Sequence, residues 1–94
     1  MQDEDFEWDD TKAAQNFATH GVSFEAARLA FEDPFALERE DRRHDYGEDR
    51  FILLGIVEER VLVVAFTVRG ERTHIISARI AEPQERRRYH EENS

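Results

Sequence analysis

The chain has 94 residues and no cysteine, with 22 Asp+Glu against 13 Lys+Arg and a formal net charge of −9. That length suits one small domain over residues 1–94 with a modest core, and the missing cysteines exclude a disulfide framework and thiol chemistry. No apolar run is long enough to span a bilayer, and the acidic opening MQDEDFEWDD lacks the apolar stretch of a signal peptide, which fits a cytoplasmic protein.

The charge is unevenly spread. Residues 1–49 hold five Lys+Arg and fifteen Asp+Glu, whereas residues 50–94 hold eight Arg and seven Glu. Acidic balance repels nucleic acid at long range and suits a basic protein partner.

In chain order, Phe6-Glu7-Trp8 predicts a short edge strand. Asp9 or Asp10 is placed to cap a helix over 11–20 that carries Ala13, Ala14, Phe17 and Ala18 on one face and Lys12, Asn16 and His20 on another. Gly21 ends that helix. Ser23 caps the next, whose apolar stripe is Phe24, Ala27 and Phe31, and Asp33-Pro34 stops it. A strand is predicted over Phe35–Glu38, and a polar loop over 39–50. Three strands follow, Phe51–Val57, Val61–Val68 and Thr73–Ile80; the middle one is apolar on both faces, as a central covered strand is. Pro83 opens a last helix over 83–91. The fold class is α+β, with two N-terminal helices, a mainly antiparallel sheet of about four strands and a C-terminal helix.

Turn chemistry sets the register. Gly70-Glu71 suits a two-residue hairpin turn with glycine first, pairing Arg69 with Arg72, Thr67 with His74 and Leu62 with Arg79. A two-residue connection at Glu58-Glu59 pairs Val57 with Arg60, Arg50 with Thr67 and Gly55 with Leu62. Strict alternation then puts Phe51, Leu53, Leu62, Val64, Phe66, Ile75, Ser77 and Arg79 on one face. It puts Ile52, Leu54, Ile56, Val61, Val63, Ala65, Ile76 and Ala78 on the other. Arg50, Thr67 and His74 line up on the second face, with Arg69 and Arg72 just beyond.

This group is a candidate phosphate site, because guanidinium groups bind phosphate in a bidentate way and stay charged, while a histidine titrates near neutrality. Such a set suits RNA cleavage by attack of the 2′-hydroxyl on the adjacent phosphate, with arginines stabilising the transition state. The plainer alternative is a solvated strand end whose arginines pair with the many carboxylates. Arg79, mid-strand and opposite Leu62 with room at Gly55, suits bracing a helix or loop as well as chemistry. Lys12, Asn16 and His20 form a polar stripe open to RNA or to water. Arg86, Arg87, Arg88 and Tyr89 make a basic helix that also reads as self-paired with its glutamates.

The stretches FEWDDTKAAQNFATHGVSFEAARLAFEDP and RFILLGIVEERVLVVAFTVRGERTHIISARIAEPQERRRY resemble the BrnT-type toxins of bacterial type II toxin–antitoxin systems, from Phe6 to Tyr89. The resemblance rests on Lys12…Asn16…His20-Gly21-Val22-Ser23-Phe24-Glu25, on Arg69-Gly70, and on Ile75-Ile76-Ser77-Ala78-Arg79 followed by Glu85-Arg86-Arg87-Arg88-Tyr89. It implies a compact RelE-like ribonuclease that cleaves mRNA without metal or cofactor and arrests translation. Arg69, Arg79, His74 and His20 would be the catalytic candidates, and Arg50, Arg72, Lys12 and Arg86 the RNA-binding ones. It also implies a BrnA-like ribbon-helix-helix antitoxin that joins the toxin in a hetero-oligomer, through which alone DNA is contacted, with no membrane partner. Where relatives commonly carry Arg before Ile-Ile-Ser this chain has His74, and where they often have Lys after Ser-Ala-Arg it has Ile80. Thr19 and Glu82 likewise stand for a common Lys and a common Thr or Ser. These losses of positive charge motivate a second reading, a weakened toxin kept as antitoxin-binding module and co-repressor.

Overall fold

The structure is a computed structural model that describes residues 1–94. Its elements in chain order are β1 (Phe6–Glu7), α1 (Asp10–His20), α2 (Phe24–Ala30), β2 (Leu37–Asp41), β3 (Arg50–Val57), β4 (Arg60–Arg69), β5 (Arg72–Ile80) and α3 (Pro83–Glu92). The strands form one five-stranded sheet in the order β1-β5-β4-β3-β2. The β1–β5 pair is parallel and the others antiparallel. As its apolar sequence predicts, β4 is the middle strand. No helix is long and apolar enough to cross a membrane.

The helix boundaries follow from local chemistry. Asp9 accepts the Lys12 N–H at 2.9 Å to start α1, and Ser23 accepts the Ala26 N–H at 3.0 Å to start α2, each satisfying a donor that a helix start leaves free. Gly21 stops α1 in the left-handed region at φ +70°. At the start of α3 the Glu85 carboxylate accepts the Glu82 N–H at 2.8 Å.

The sheet departs from the sequence reading in two places. First, β2 is shifted: Phe35 and Ala36, expected in the strand, precede it, while Arg39, Glu40 and Asp41, expected in a loop, pair with Ile52, Phe51 and Arg50. An edge strand tolerates charged side chains because backbone pairing alone defines it. Second, the β4–β5 ladder slips by one residue. From Arg69↔Arg72 to Phe66↔Ile75 the pairs run as expected, but Ala65 faces Ser77 and Leu62 faces Ile80. Ile76 has no partner, so it is a β-bulge that re-aims every later side chain. Ala78 therefore joins the core beneath α1 and α2, while Ser77 and Arg79 turn to the opposite face; Arg79 pairs with Val63, not Leu62.

Each face has its own core. Against α1 and α2 lie Leu53, Leu62, Val64, Phe66, Ile75 and Ala78, packed with Trp8, Val22, Phe24, Ala27 and Ala30. Under α3 lie Ile52, Leu54, Val61, Val63, Ala81 and Tyr89. Burying each large side chain of this kind contributes about 1.5–3 kcal/mol. Gly55 serves the first core: a Cβ there would stand 2.6 Å from the Ala30 carbonyl oxygen, so its missing side chain admits the end of α2 and not the Arg79 guanidinium.

Asn16 ties α1 to the bulged strand. Its amide donates to Ala78 O at 2.8 Å and Val22 O at 3.0 Å, and its oxygen accepts the Ala78 N–H at 3.1 Å. The carboxamide thus pairs with the free edge of β5 as a neighbouring strand would. Asn16 is buried in consequence, while Phe17, expected on the packed face, is 56% exposed. Asn16→Ala strands three buried backbone groups and should lower stability by about 2–4 kcal/mol in urea unfolding; a loss below about 1 kcal/mol, the size of one ordinary hydrogen bond, would contradict the clamp.

Asp33 ties α3 down. It accepts the Tyr89 hydroxyl, the Ile56 N–H at 2.8 Å and the Phe35 N–H at 2.9 Å. Burial pushes the Asp33 carboxyl up, but these hydrogen bonds outweigh it and leave the group below its usual value. Burial and the Asp33 carboxylate push the Tyr89 hydroxyl up to about 12. A raised folded value means that the protonated tyrosine stabilises the fold below its ordinary value of 10 and that this support disappears as pH rises through 12. Wild-type stability should therefore fall across pH 10 to 12, and Tyr89→Phe, less stable at neutral pH, should lose little more over that window.

Candidate functional site

The α3 core covers one end of its sheet face and leaves the other open. At the open end a polar row crosses all five strands: Asp41 beside Arg50, then Thr67, His74 and Glu7. Their side chains share one face because each sits at a matched register position. Arg69 and Arg72, paired across the β4–β5 turn, lie one step further along it. A second row, Arg39, Ile52, Ala65 and Ser77, borders the first, and Arg79 lies beyond Ser77. Ala65 and Ser77 are small and only half-buried, so short side chains separate His74 from Arg79.

Most cations of this face are held by a partner. His74 Nδ1 lies 2.8 Å from a Glu7 carboxylate oxygen. Arg79 grips both oxygens of Glu85, at 2.8 and 2.9 Å; this fork raises the arginine pKa and holds the Glu85 carboxyl below its usual range. Arg72 donates to the Asp3 carbonyl at 2.6 Å, which fastens the segment before β1. Arg43 forks onto the buried Asp41 at 2.9 and 3.0 Å, joined by the Tyr46 hydroxyl at 3.1 Å; the Arg43 hydrogen bonds keep that carboxyl well below the carboxylate range, against the push of burial.

The loop over residues 42–49 leans onto the row. Tyr46 carries the Arg50 guanidinium on its ring at 4.0 Å, and Thr67 donates its hydroxyl to Asp49 O. Glu48 reaches Arg69 at 3.3 Å and Arg50 at 3.8 Å.

Of the residues singled out by sequence, the open face collects Arg50, Arg69, Arg72, His74 and Arg79. The assignment of Arg79 to the other face is corrected by the bulge at Ile76. Lys12 and His20 lie elsewhere, lining a groove at the β5 edge with Gln15, Asn16, Thr19 and Ile76. Within that stripe Asn16 is structural, not open to water or RNA. Arg86 is exposed on α3 and donates weakly to Ala81 O at 3.5 Å.

Two residues escaped the sequence reading. Arg39 stands close enough to Glu85 to act on its charge, and Arg43 close enough to Arg79 to oppose it. No hydrophobic period marks either residue, because the charged run from Glu38 to Arg43 shows no apolar alternation.

A face with a histidine–glutamate pair, two hydroxyl residues and several fixed guanidinium groups can bind phosphodiesters and move a proton beside them. The comparison with protein families gives this capacity a setting. Residues 8–85 match the family described as "Ribonuclease toxin, BrnT, of type II toxin-antitoxin system". With most of its length matched, the chain belongs to that family, and an antitoxin is its partner. No curated protein matches it in sequence.

The bulge is directly testable. The bulged register buries Ala78 in the α1–α2 core, where regular alternation through Ile76 would leave it on the open face. An unpaired buried charge costs about 3–5 kcal/mol, so Ala78→Lys should melt far below wild type by circular dichroism. A wild-type melting temperature would refute the register.

Proposed function

We propose that the chain is an mRNA endoribonuclease that arrests translation and that it works on the open sheet face. The observation that carries this reading is the convergence of His74, Arg50 and Arg79 on one face, which depends on the bulge at Ile76. With the Nδ1 proton shared with Glu7, Nε2 is left as an acceptor, and the carboxylate stabilises the imidazolium once a proton is taken. His74 then removes the 2′-hydroxyl proton. The oxygen attacks the adjacent phosphorus, the bond to the 5′-oxygen breaks, and that oxygen takes up a proton, leaving a 2′,3′-cyclic phosphate and a 5′-hydroxyl end. Arg79, aligned by Glu85, meets the charge that develops on the phosphoryl oxygens, and Arg50 holds the neighbouring RNA backbone. Lys12 and His20, at the β5 edge, fit contact with RNA outside the cleavage site.

The antitoxin we propose is a basic ribbon-helix-helix protein. The acidic first half of the chain supports a basic partner, and the exposed Phe17 and Ala14, flanked by Asp10 and Glu25, offer it an apolar foothold.

Inducible expression without the antitoxin tests the reading. Wild type should stop growth. His74→Ala should cut RNA cleavage about 100-fold or more, the usual worth of a general base, and Arg79→Ala should restore growth with the fold retained. Normal growth with abundant folded wild-type protein that still binds the antitoxin would select the weakened-toxin reading instead, in which the carboxylates paired with His74, Arg79 and Arg69 have silenced the face.

A further inference from the structure

The guanidinium groups of the open face are not held alike. Those of Arg79 and Arg43 are closed into two-point forks with Glu85 and Asp41 at 2.8 to 3.0 Å. Arg72 has given its Nε to a backbone carbonyl. Arg50 and Arg69 share one carboxylate, Glu48, and neither contact is tight. Arg69 Nη2 stands 3.3 Å from both Glu48 oxygens, and Arg50 Nε stands 3.8 Å from the nearer one. Charge-assisted pairs close to about 2.7–2.9 Å when the geometry allows. Arg50 Nε is moreover the one buried side-chain polar atom of the molecule without a hydrogen-bond partner, although buried donors are almost always satisfied.

We propose that Arg50 and Arg69 form a phosphate subsite for the backbone of bound RNA, and that Glu48 occupies it in the free protein as a self-inhibiting stand-in. The proposal rests on the reading of the open face as an RNA surface. A carboxylate spans the two guanidinium groups but is too small to close on both. A phosphodiester places larger, tetrahedrally spread oxygens there and completes the Arg50 Nε hydrogen bond. The exchange is accessible because partly exposed pairs of this kind are held weakly. Glu48 sits on the loop rather than on a strand, so it swings out without disturbing the sheet. Tyr46, stacked on Arg50, keeps the guanidinium aimed while the carboxylate leaves. The bound phosphate is one nucleotide or more from the scissile bond, since Arg69 lies at the strand end beyond His74.

The test is binding of a short, fluorescent single-stranded oligodeoxynucleotide, which lacks the 2′-hydroxyl and is not cleaved, followed by anisotropy across a salt series. Glu48→Gln should bind about fivefold tighter than wild type, the span of one weak pair removed, with a salt slope steeper by about 0.7 for the added phosphate contact. Glu71→Gln removes an equal charge from the neighbouring turn and should change affinity less than about twofold, since exposed charges are screened. In an Arg69→Ala background Glu48→Gln should give no gain. Equal gains from Glu48→Gln and Glu71→Gln, no gain from Glu48→Gln, or a gain that survives loss of Arg69 would each overturn the subsite. Growth arrest by wild type with no gain from Glu48→Gln removes the subsite alone; a gain in a protein that cuts no RNA leaves the subsite and removes the nuclease reading.

Discussion

Ile76, the unpaired residue of β5, sets which side of the sheet every later side chain faces. Were Ile76 paired in regular alternation, Arg79 would point at the apolar core beneath α1 and α2, and Ala78 would lie on the open face. With the bulge a small side chain fills the tight core position, and the guanidinium reaches Glu85 at the start of α3. The bulge persists because its free edge is satisfied. Asn16 pairs both backbone groups of Ala78, so α1 does for this stretch of β5 what β1 does for Thr73 and His74. Bulges commonly re-aim side chains beside functional sites; here the same irregularity also completes the core.

Electrostatics explains how an acidic chain carries a cationic face. The excess acid is partly spent on holding arginines in place: Asp41 on Arg43, Glu85 on Arg79, Glu48 on Arg69 and Arg50. Fixed guanidinium groups lose little freedom when a phosphate arrives, which favours binding, whereas a closed fork offers that phosphate fewer free donors. The face therefore combines preorganised charge, at Arg79 and Arg43, with loosely held charge at Arg50 and Arg69. The remaining carboxylates are concentrated in the first half of the chain.

Much of this was legible in the sequence. Helix starts at Asp9 and Ser23 and the stop at Gly21 followed from capping chemistry, whereas α2 ends at Ala30, before the expected stop at Asp33-Pro34. The two-residue turns at Glu58-Glu59 and Gly70-Glu71 fixed the register that brings Arg50, Thr67 and His74 together. Three features were not legible. A bulge is a packing decision: nothing in Ile75-Ile76-Ser77 distinguishes an extra residue from regular alternation until Ala78 is seen fitting where Arg79 does not. A buried Asn16 likewise looks like a wet helix position unless its backbone partners, 62 residues away at Ala78, are known. The edge strand ran past its expected end because charge along an edge gives no hydrophobic period to read.

The central claim is that RNA meets the sheet on the face built by the bulge. The most direct measurement is amide chemical-shift mapping of the folded protein titrated with an uncleavable single-stranded oligonucleotide. Shifts concentrated at Arg50, Thr67, His74, Ser77 and Arg79, with Lys12 and His20 moving less, are the predicted result. Shifts confined to Lys12, Thr19 and His20 at the edge of β5, with the open face silent, would contradict the account.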